Sequence, residues 1–380
     1  MGIKTEQNCP AEYPPTQQFN PKTFEPSKLL KERIDIINKN FPLFFSGQRL
    51  LDVACAWGYF SYLNCNHFDQ VVSFDNNYQC IKFAQETYPS DNIDFQLTNF
   101  RDFTDIFGFD KIFIGNALHH IFMENKDWSF LAKLSALCDG EVLIEGAFNC
   151  ECKDMRDFIP VEAQATYNRF QEEMSKYFTL KLKVPSISYT PDRYFSLWQK
   201  KKLPSYDLTK LKVKKVIKQE GNQIFKTDNN LIAKVGRPED KVRTRIAAYS
   251  PYSNGMVGEI VLEGRWTGWL EKQIDGEPLF YFEQESSVLK RWLETQVWLS
   301  RLGYSDQDCA TINFDRNLLI FDKGSIVPCH DLELQHFLIN FNNSFRTVNY
   351  DIPLKIVRGL KTKLSRTIEK TSREVLCQLK

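Results

Sequence analysis

A chain of 380 residues with a formal net charge of +1 is long for a single core and too near neutrality for a dedicated nucleic-acid binder. Its hydrophobic fraction of 42% and charged fraction of 26% are ordinary for a soluble globular protein, and no apolar run approaches the ~18 residues of a membrane span. Ten cysteines follow no short, even framework and no apolar leader opens the chain, so free thiols in a reducing cytoplasm are expected.

Residues 1–26 carry prolines and polar residues without periodicity and predict a flexible arm. Ser27 is placed as the N-cap of a helix with Leu30, Ile34 and Ile37 on one face. Residues 49–60 then read as a short buried strand, a turn of small residues and the start of a helix. Such a step is where an open α/β sheet binds a nucleotide-like ligand, at the carboxyl ends of its strands. Ala54, Ala56 and Gly58 let the backbone approach closely, and the helix that follows offers free N–H groups. Residues 71–75 are the next buried strand, and Asp75 at its end can accept from a ribose diol.

A helix over 80–84, a third strand over 93–97 and a fourth over 111–114 follow, the last running into His119 and His120. Asn99 and Asp102 lie just past the third strand, and residues 141–145 make a fifth that ends on Glu145. Cys150 and Cys152 have no second pair at zinc spacing, so no metal is expected there. Residues 154–178 pattern as an amphipathic helix anchored by Phe158, Tyr167, Phe170 and Met174. Residues 180–184 and 194–198 alternate as an antiparallel pair. Strands alternating with helices over 27–200 place this domain in the α/β class.

The texture changes at residues 200–204, a polar, basic break that marks the expected domain boundary. Beyond it, residues 214–218, 223–226, 231–235, 257–262 and 269–274 read as antiparallel strands, and 286–302 as a helix. Strands first and helices later predict a smaller α+β domain over 205–345. Residues 236–256 offer no helix carrying a glutamate. Over 350–380, Ile356, Leu360, Leu364, Ile368, Val375 and Leu379 recur at helical spacing among Lys and Arg. That basic amphipathic helix suits a partner surface or an anionic membrane.

Asp52-x-Ala54-x-Ala56-x-Gly58 with Asp75 resembles motif I and the acid that follows it in class I S-adenosylmethionine-dependent methyltransferases. His119-His120 resembles the Leu-His-His motif after the fourth strand of the same family. The resemblance implies a Rossmann-like seven-stranded sheet and S-adenosylmethionine as cofactor. It implies the methionine end at 54–58, the ribose on Asp75, and the adenine against Asn99 or Asp102. It makes His119 or His120 the general base for a neutral hydroxyl, with a turn-capping role as the alternative, and lets Glu145 position the acceptor. Trp57 and Tyr59 stack near the sulfonium or pack the core. The family carries glycine where this chain has Ala54 and Ala56, and alanine keeps such a turn where φ is negative. A Rossmann dehydrogenase is disfavoured by the missing glycine pattern.

In the second half, Ile232-Ala233-Lys234-Val235 resembles the strand of a kinase that carries the phosphate-binding lysine. Residues 269–272 and 276–279 look like the hinge of small-molecule kinases. Asp308 sits where the catalytic-loop acid belongs and keeps Asp-x4-Asn spacing to Asn313, while Asp331 resembles the metal-binding acid. Asn317 competes with Asn313 as metal ligand. ATP and Mg²⁺ are thereby implied. Residues 219–223 hold one glycine where a phosphate-covering loop has several, so phosphate transfer and a retained shape without transfer both stay open.

Taken together, Asp52, Cys55, Ala56, Gly58, Tyr59, Phe60, Ser61, His119, His120 and Ile121, then Gly268, Trp269, Leu270, Asp308 and Asp331, look like the bacterial O-antigen chain-terminating methyltransferase–kinases. That resemblance implies a glycan-linked or other small phosphorylated or hydroxyl acceptor and a place in polysaccharide biosynthesis. It also implies a cytoplasmic protein, peripheral at the inner membrane. Two rivals stand beside it. One is a non-catalytic scaffold that retains methyltransferase and pseudokinase folds. The other is an RNA or protein methyltransferase, against which near-neutral charge and the lack of an Asn-Pro-Pro-Tyr-type motif both count.

Overall fold

The computed structural model describes residues 26–125, 128–147, 169–187, 193–219, 223–251, 253, 255–273, 294–295, 298–299, 301–306 and 326–328. The expectations on the arm, Phe158, Tyr167, residues 220–222 and 276–279, Asp308, Asn313, Asn317, Asp331 and the 350–380 helix lie outside them. Internal contacts divide the chain into two compact units. One runs to residue 201 without 104–107, and the other comprises 104–107 and the residues from 202 onward.

The first unit opens with α1 (Lys28–Asn40), where the Ser27 hydroxyl accepts from the Leu30 N–H at 3.1 Å. Its buried face is Leu30, Arg33 and Ile37. There follow β1 (Gly47–Val53), α2 (Tyr59–Asn64), β2 (Phe68–Asp75), α3 (Tyr78–Thr87) and β3 (Ile93–Leu97). Next come β4 (Phe109–Gly115), α4 (Leu118–Asn125), α5 (Phe130–Leu137) and β5 (Cys138–Ala147). The unit closes with α6 (Phe170–Tyr177), β6 (Phe178–Pro185) and β7 (Arg193–Lys200).

These strands form one seven-stranded sheet in the order β3-β2-β1-β4-β5-β7-β6. The first five are parallel, and β7 runs antiparallel to both β5 and β6. The reason lies in the residues: β1, β2, β4 and β5 each carry a short buried apolar run (Leu50-Leu51, Val71-Val72, residues 112–114 and residues 142–144), which suits strands covered on both faces. The first unit is thus a Rossmann-like α/β sheet, as its residues predict. Phenylalanines fill much of the core; Phe60 and Phe113, for example, pack with ring centroids 4.8 Å apart. Each such fully buried side chain stabilises the fold by about 1.5–3 kcal/mol. The order reverses between β1 and β4, because the chain leaves β1 toward β2 and leaves β4 toward β5. The crevice over the carboxyl ends of those two strands is where such sheets bind ligands.

The second unit contains β8 (Ser205–Asp207), β9 (Val213–Lys218), β10 (Gln223–Thr227), β11 (Leu231–Val235), α7 (Lys241–Tyr249), β12 (Gly258–Leu262) and β13 (Arg265–Lys272). Its strands form a six-stranded sheet in the order β8-β12-β13-β11-β10-β9, antiparallel apart from the β8–β12 pair. Ala233, Ile260 and Leu270 form its core. Helix α7 lies within residues 236–256 and carries no glutamate, in keeping with the sequence reading. Val242, Ile246 and Ala247 bury one face among polar neighbours. Among the described residues no helix is long and apolar enough to cross a membrane.

Candidate functional site

The turn after β1 is built by alternation. Ala54, Ala56 and Gly58 all have left-handed backbones, at φ of +54°, +47° and +76°. The alanines therefore do not sit at negative φ, and each costs about 1–2 kcal/mol against the Cβ–carbonyl clash. Surrounding bonds hold the strain in place. Cys55 N–H donates to the Phe74 carbonyl at 2.9 Å, and Gly58 N–H to the Cys55 carbonyl at 2.9 Å. At Gly58 space also forbids a side chain, since a Cβ would lie 2.6 Å from the Phe95 ring and 2.8 Å from Ala84 Cβ. Trp57 is buried and meets Phe83 edge-on at 5.0 Å, so it packs the core beside the turn.

Two acids flank this turn. Asp75, at the end of β2, accepts from Ala56 N–H at 3.0 Å through one oxygen and from Asn77 N–H at 2.9 Å through the other. It clamps the turn and starts α3 at once. Burial raises its pKa, opposed by those amide bonds and by His120. Asp52, near the end of β1, is only 3% exposed. One of its oxygens accepts from the Ser61 hydroxyl at 2.6 Å, and Ser61 in turn accepts from Ser73 at 2.8 Å. Burial pushes the Asp52 pKa up to about 7; Ser61 opposes the rise and neighbouring Asp75 adds to it. Past β3, Asn99 and Asp102 bind each other: the Asn99 side-chain amide donates to Asp102 Oδ2 at 2.7 Å, and Asp102 N–H donates to Asn99 Oδ1 at 2.8 Å. The second oxygen of Asp102, Oδ1, is buried and has no partner among the described residues.

The other wall comes from the end of β4. Asn116 is left-handed at φ +58°, donates its N–H to the Glu145 carbonyl at 3.0 Å, and accepts from Arg193 at 2.6 Å. His119 and His120 follow in α4 with ring centroids 4.0 Å apart. Burial, then His120 and Arg193, lowers the His119 pKa to about 3. Burial also lowers that of His120, with Asp75 opposing and Arg193 assisting. Asp75 and His120 thus lie within electrostatic reach, which brings the ends of β2 and β4 to one crevice. Glu145, expected to position an acceptor, is fully buried and taken up by Arg33 and the Ser186 hydroxyl. Its carboxylate ties α1 to β5.

Three residues here escaped the sequence reading. Arg33 carried a signal, a charge three positions after Leu30 on the apolar stripe of α1. Asn116 and Arg193 carried none, because their meeting depends on β5 pairing with β7.

In the second unit Lys234 is 12% exposed at its side chain and lies 2.8 Å from Glu271. The β11–β13 register sets Lys234 opposite Trp269, whose indole N–H donates to Glu271 at 3.1 Å. The acid sought on a helix after β11 is therefore supplied by the neighbouring strand. Among the described residues no group of three or more His, Cys, Asp and Glu gathers as a metal site would require.

No family model matches the chain, and no curated protein matches it. Solved structures do. The N-methyltransferase NodS from Bradyrhizobium japonicum WM9, in complex with S-adenosyl-L-homocysteine, is 14% identical with a TM-score of 0.37, over 45% of this chain and 86% of its own. Magnesium protoporphyrin IX methyltransferase (ChlM) from Synechocystis PCC 6803 with bound SAM is 14% identical with a TM-score of 0.33, over 44% and 74%. WbdD, in a co-crystal with the kinase inhibitor LY294002, is 14% identical with a TM-score of 0.33, over 91% and 87%.

Proposed function

We propose that the chain is an S-adenosylmethionine-dependent methyltransferase acting on a glycan-linked or other small phosphorylated acceptor, with an appended kinase-like unit. The observation that carries this reading is the pair of buried acids, Asp52 and Asp75, set around a strained left-handed turn at the switch point of the sheet. Bound there, the cofactor supplies a methyl group on a sulfonium. Residues 54–58 would face its methionine end and Asp75 its ribose. Asp102 fits the adenine, since its buried, unpartnered oxygen can accept from an exocyclic amine. Asn99 holds Asp102 in place.

His119 bears on the acceptor. With a pKa near 3 it is too weak a base to draw the proton from a hydroxyl, and it remains a neutral hydrogen-bonding group at physiological pH. An acceptor oxygen that already carries charge needs no such base, and the nearby Arg193 guanidinium favours an anion. This supports a phosphorylated acceptor over a neutral hydroxyl. What the residues then supply is orientation and exclusion of water. Glu145 is left out of the chemistry.

For the second unit, the pairing of Lys234 with Glu271 is the kind of lysine–acid ion pair that a kinase site requires, supplied here by a strand, and it supports a kinase-like shape. The proposed roles of Asp308, Asn313 or Asn317, and Asp331 rest on the resemblance alone, as do the cytoplasmic placement and peripheral attachment through residues 350–380. Calorimetric titration with S-adenosylmethionine on the wild type and on Asp75→Ala tests the reading. Binding weakened at least ~100-fold in the variant, about 2.7 kcal/mol, is expected. No heat from folded wild-type protein would move the function to the scaffold alternative.

A further inference from the structure

We propose that Asp52 exchanges its proton for the cationic end of the cofactor, so that binding at this site releases a proton and weakens as the medium is acidified. The inference rests on the methyltransferase reading and adds a control to it.

The geometry carries it. Asp52 is 3% exposed, and only one of its oxygens, Oδ2, takes a hydrogen bond among the described residues. No described lysine, arginine or histidine forms an ion pair with it. The neighbours on each side are known. From β2 come Ser73, directly across in the ladder, and the carboxylate of Asp75. From β4 comes Phe113, and from α2 Ser61. The turn contributes the Cys55 thiol, which Asp52 and Asp75 help to keep protonated. On α4, His120 acts on Asp75, and on α1 the Arg33 guanidinium is engaged by Glu145.

Two carboxyl groups therefore share a buried site in which the described residues supply no ion pair to Asp52. Burial and like charge both favour the neutral acid, so the empty site keeps its proton up to near-neutral pH. A sulfonium or ammonium brought against the same carboxyl reverses that preference. The Asp52 O–H bond breaks, its proton passes to the buffer, and the carboxylate stays paired with the ligand cation. The elevated pKa places the exchange within the range in which cells vary.

The test is calorimetry with S-adenosylmethionine at pH 6.5 in buffers of differing ionisation enthalpy, using the 380-residue chain. Wild type is expected to release a proton, in part or in full, at each site, and its Kd to rise by up to about tenfold per pH unit below the Asp52 pKa and to flatten above it. Asp52→Asn should lose the buffer dependence. Ser61→Ala keeps the carboxyl but removes the bond that stabilises its ionised form, and should move the break in the Kd profile to higher pH. Binding heats independent of buffer in wild type would overturn the proton exchange and leave the cofactor reading standing. Proton release undiminished in Asp52→Asn would do the same. Absence of binding at every pH, from folded protein, would remove both.

Discussion

The crevice of the first unit and the sheet of the second handle buried charge in opposite ways. Around the 54–58 turn, Asp52 and Asp75 stand together with no ion-pairing cation supplied to Asp52 by the described residues, on a backbone forced into left-handed geometry. In the second unit Lys234 is also largely buried, yet Glu271 answers it at 2.8 Å and an indole N–H binds the same carboxylate. One acid has no ion pair among the described residues; the lysine of the other sheet has one. Residue type alone would have ranked them equally, since each presents the ionisable group its chemistry calls for. The difference lies in compensation, and uncompensated charge is what a binding site retains at a cost to stability.

That contrast can be broken at either end. The largest effect is expected from Asp52→Asn. Folding raises the Asp52 pKa from ~4 to about 7, so the carboxyl destabilises the ligand-free fold increasingly as pH rises through that window. Urea unfolding at pH 8 should therefore show the variant more stable, by up to about 4 kcal/mol, with the gain vanishing near pH 4. Equal midpoints at both pH values would mean that the acid is not strained by burial. Next, Lys234→Met strands the buried Glu271 carboxylate and should cost about 2–3 kcal/mol, a partly exposed version of the penalty for breaking a buried pair. Adding Glu271→Gln should recover most of it, and cofactor affinity should not change in either protein. A loss of S-adenosylmethionine binding there would erase the distinction between the two regions. Smallest is Ala54→Gly, which removes the left-handed clash but frees the unfolded chain. A net gain of about 0.5–1 kcal/mol in unfolding free energy is expected.

Much of the first unit was legible because its strands are apolar and its helices amphipathic. The Ser27 cap, the step from β1 to α2 and the β6–β7 pair follow from local pattern. What pattern could not supply is conformation that context imposes. Ala54 and Ala56 read as tolerable at negative φ, but the cross-turn bonds from Asp75 and Phe74 require the opposite sign. Helix α7 leaves little pattern because its apolar face is four short residues among Arg243, Thr244 and Arg245, and Arg245 is itself buried against Glu259. The partner of Lys234 was sought at the spacing a helix would give, whereas strand register chose Glu271. Arg33 and Glu145 are 112 positions apart, a separation at which sequence spacing carries no information.

That same separation has a kinetic meaning. The guanidinium of Arg33 belongs to α1, but its anchor arrives with β5, and Ser186 lies 41 positions later still. Leu30 and Ile37 of α1 share a core cluster with Leu50 and Phe60, close in sequence, whereas the Arg33–Glu145 pair must close a very long loop, so that pair is expected to form late in folding. Arg33→Met with Glu145→Gln should accordingly speed unfolding while leaving the folding rate nearly unchanged. The Arg33–Glu145 pair would then act as a latch on the first unit, fastened after the core around it has formed.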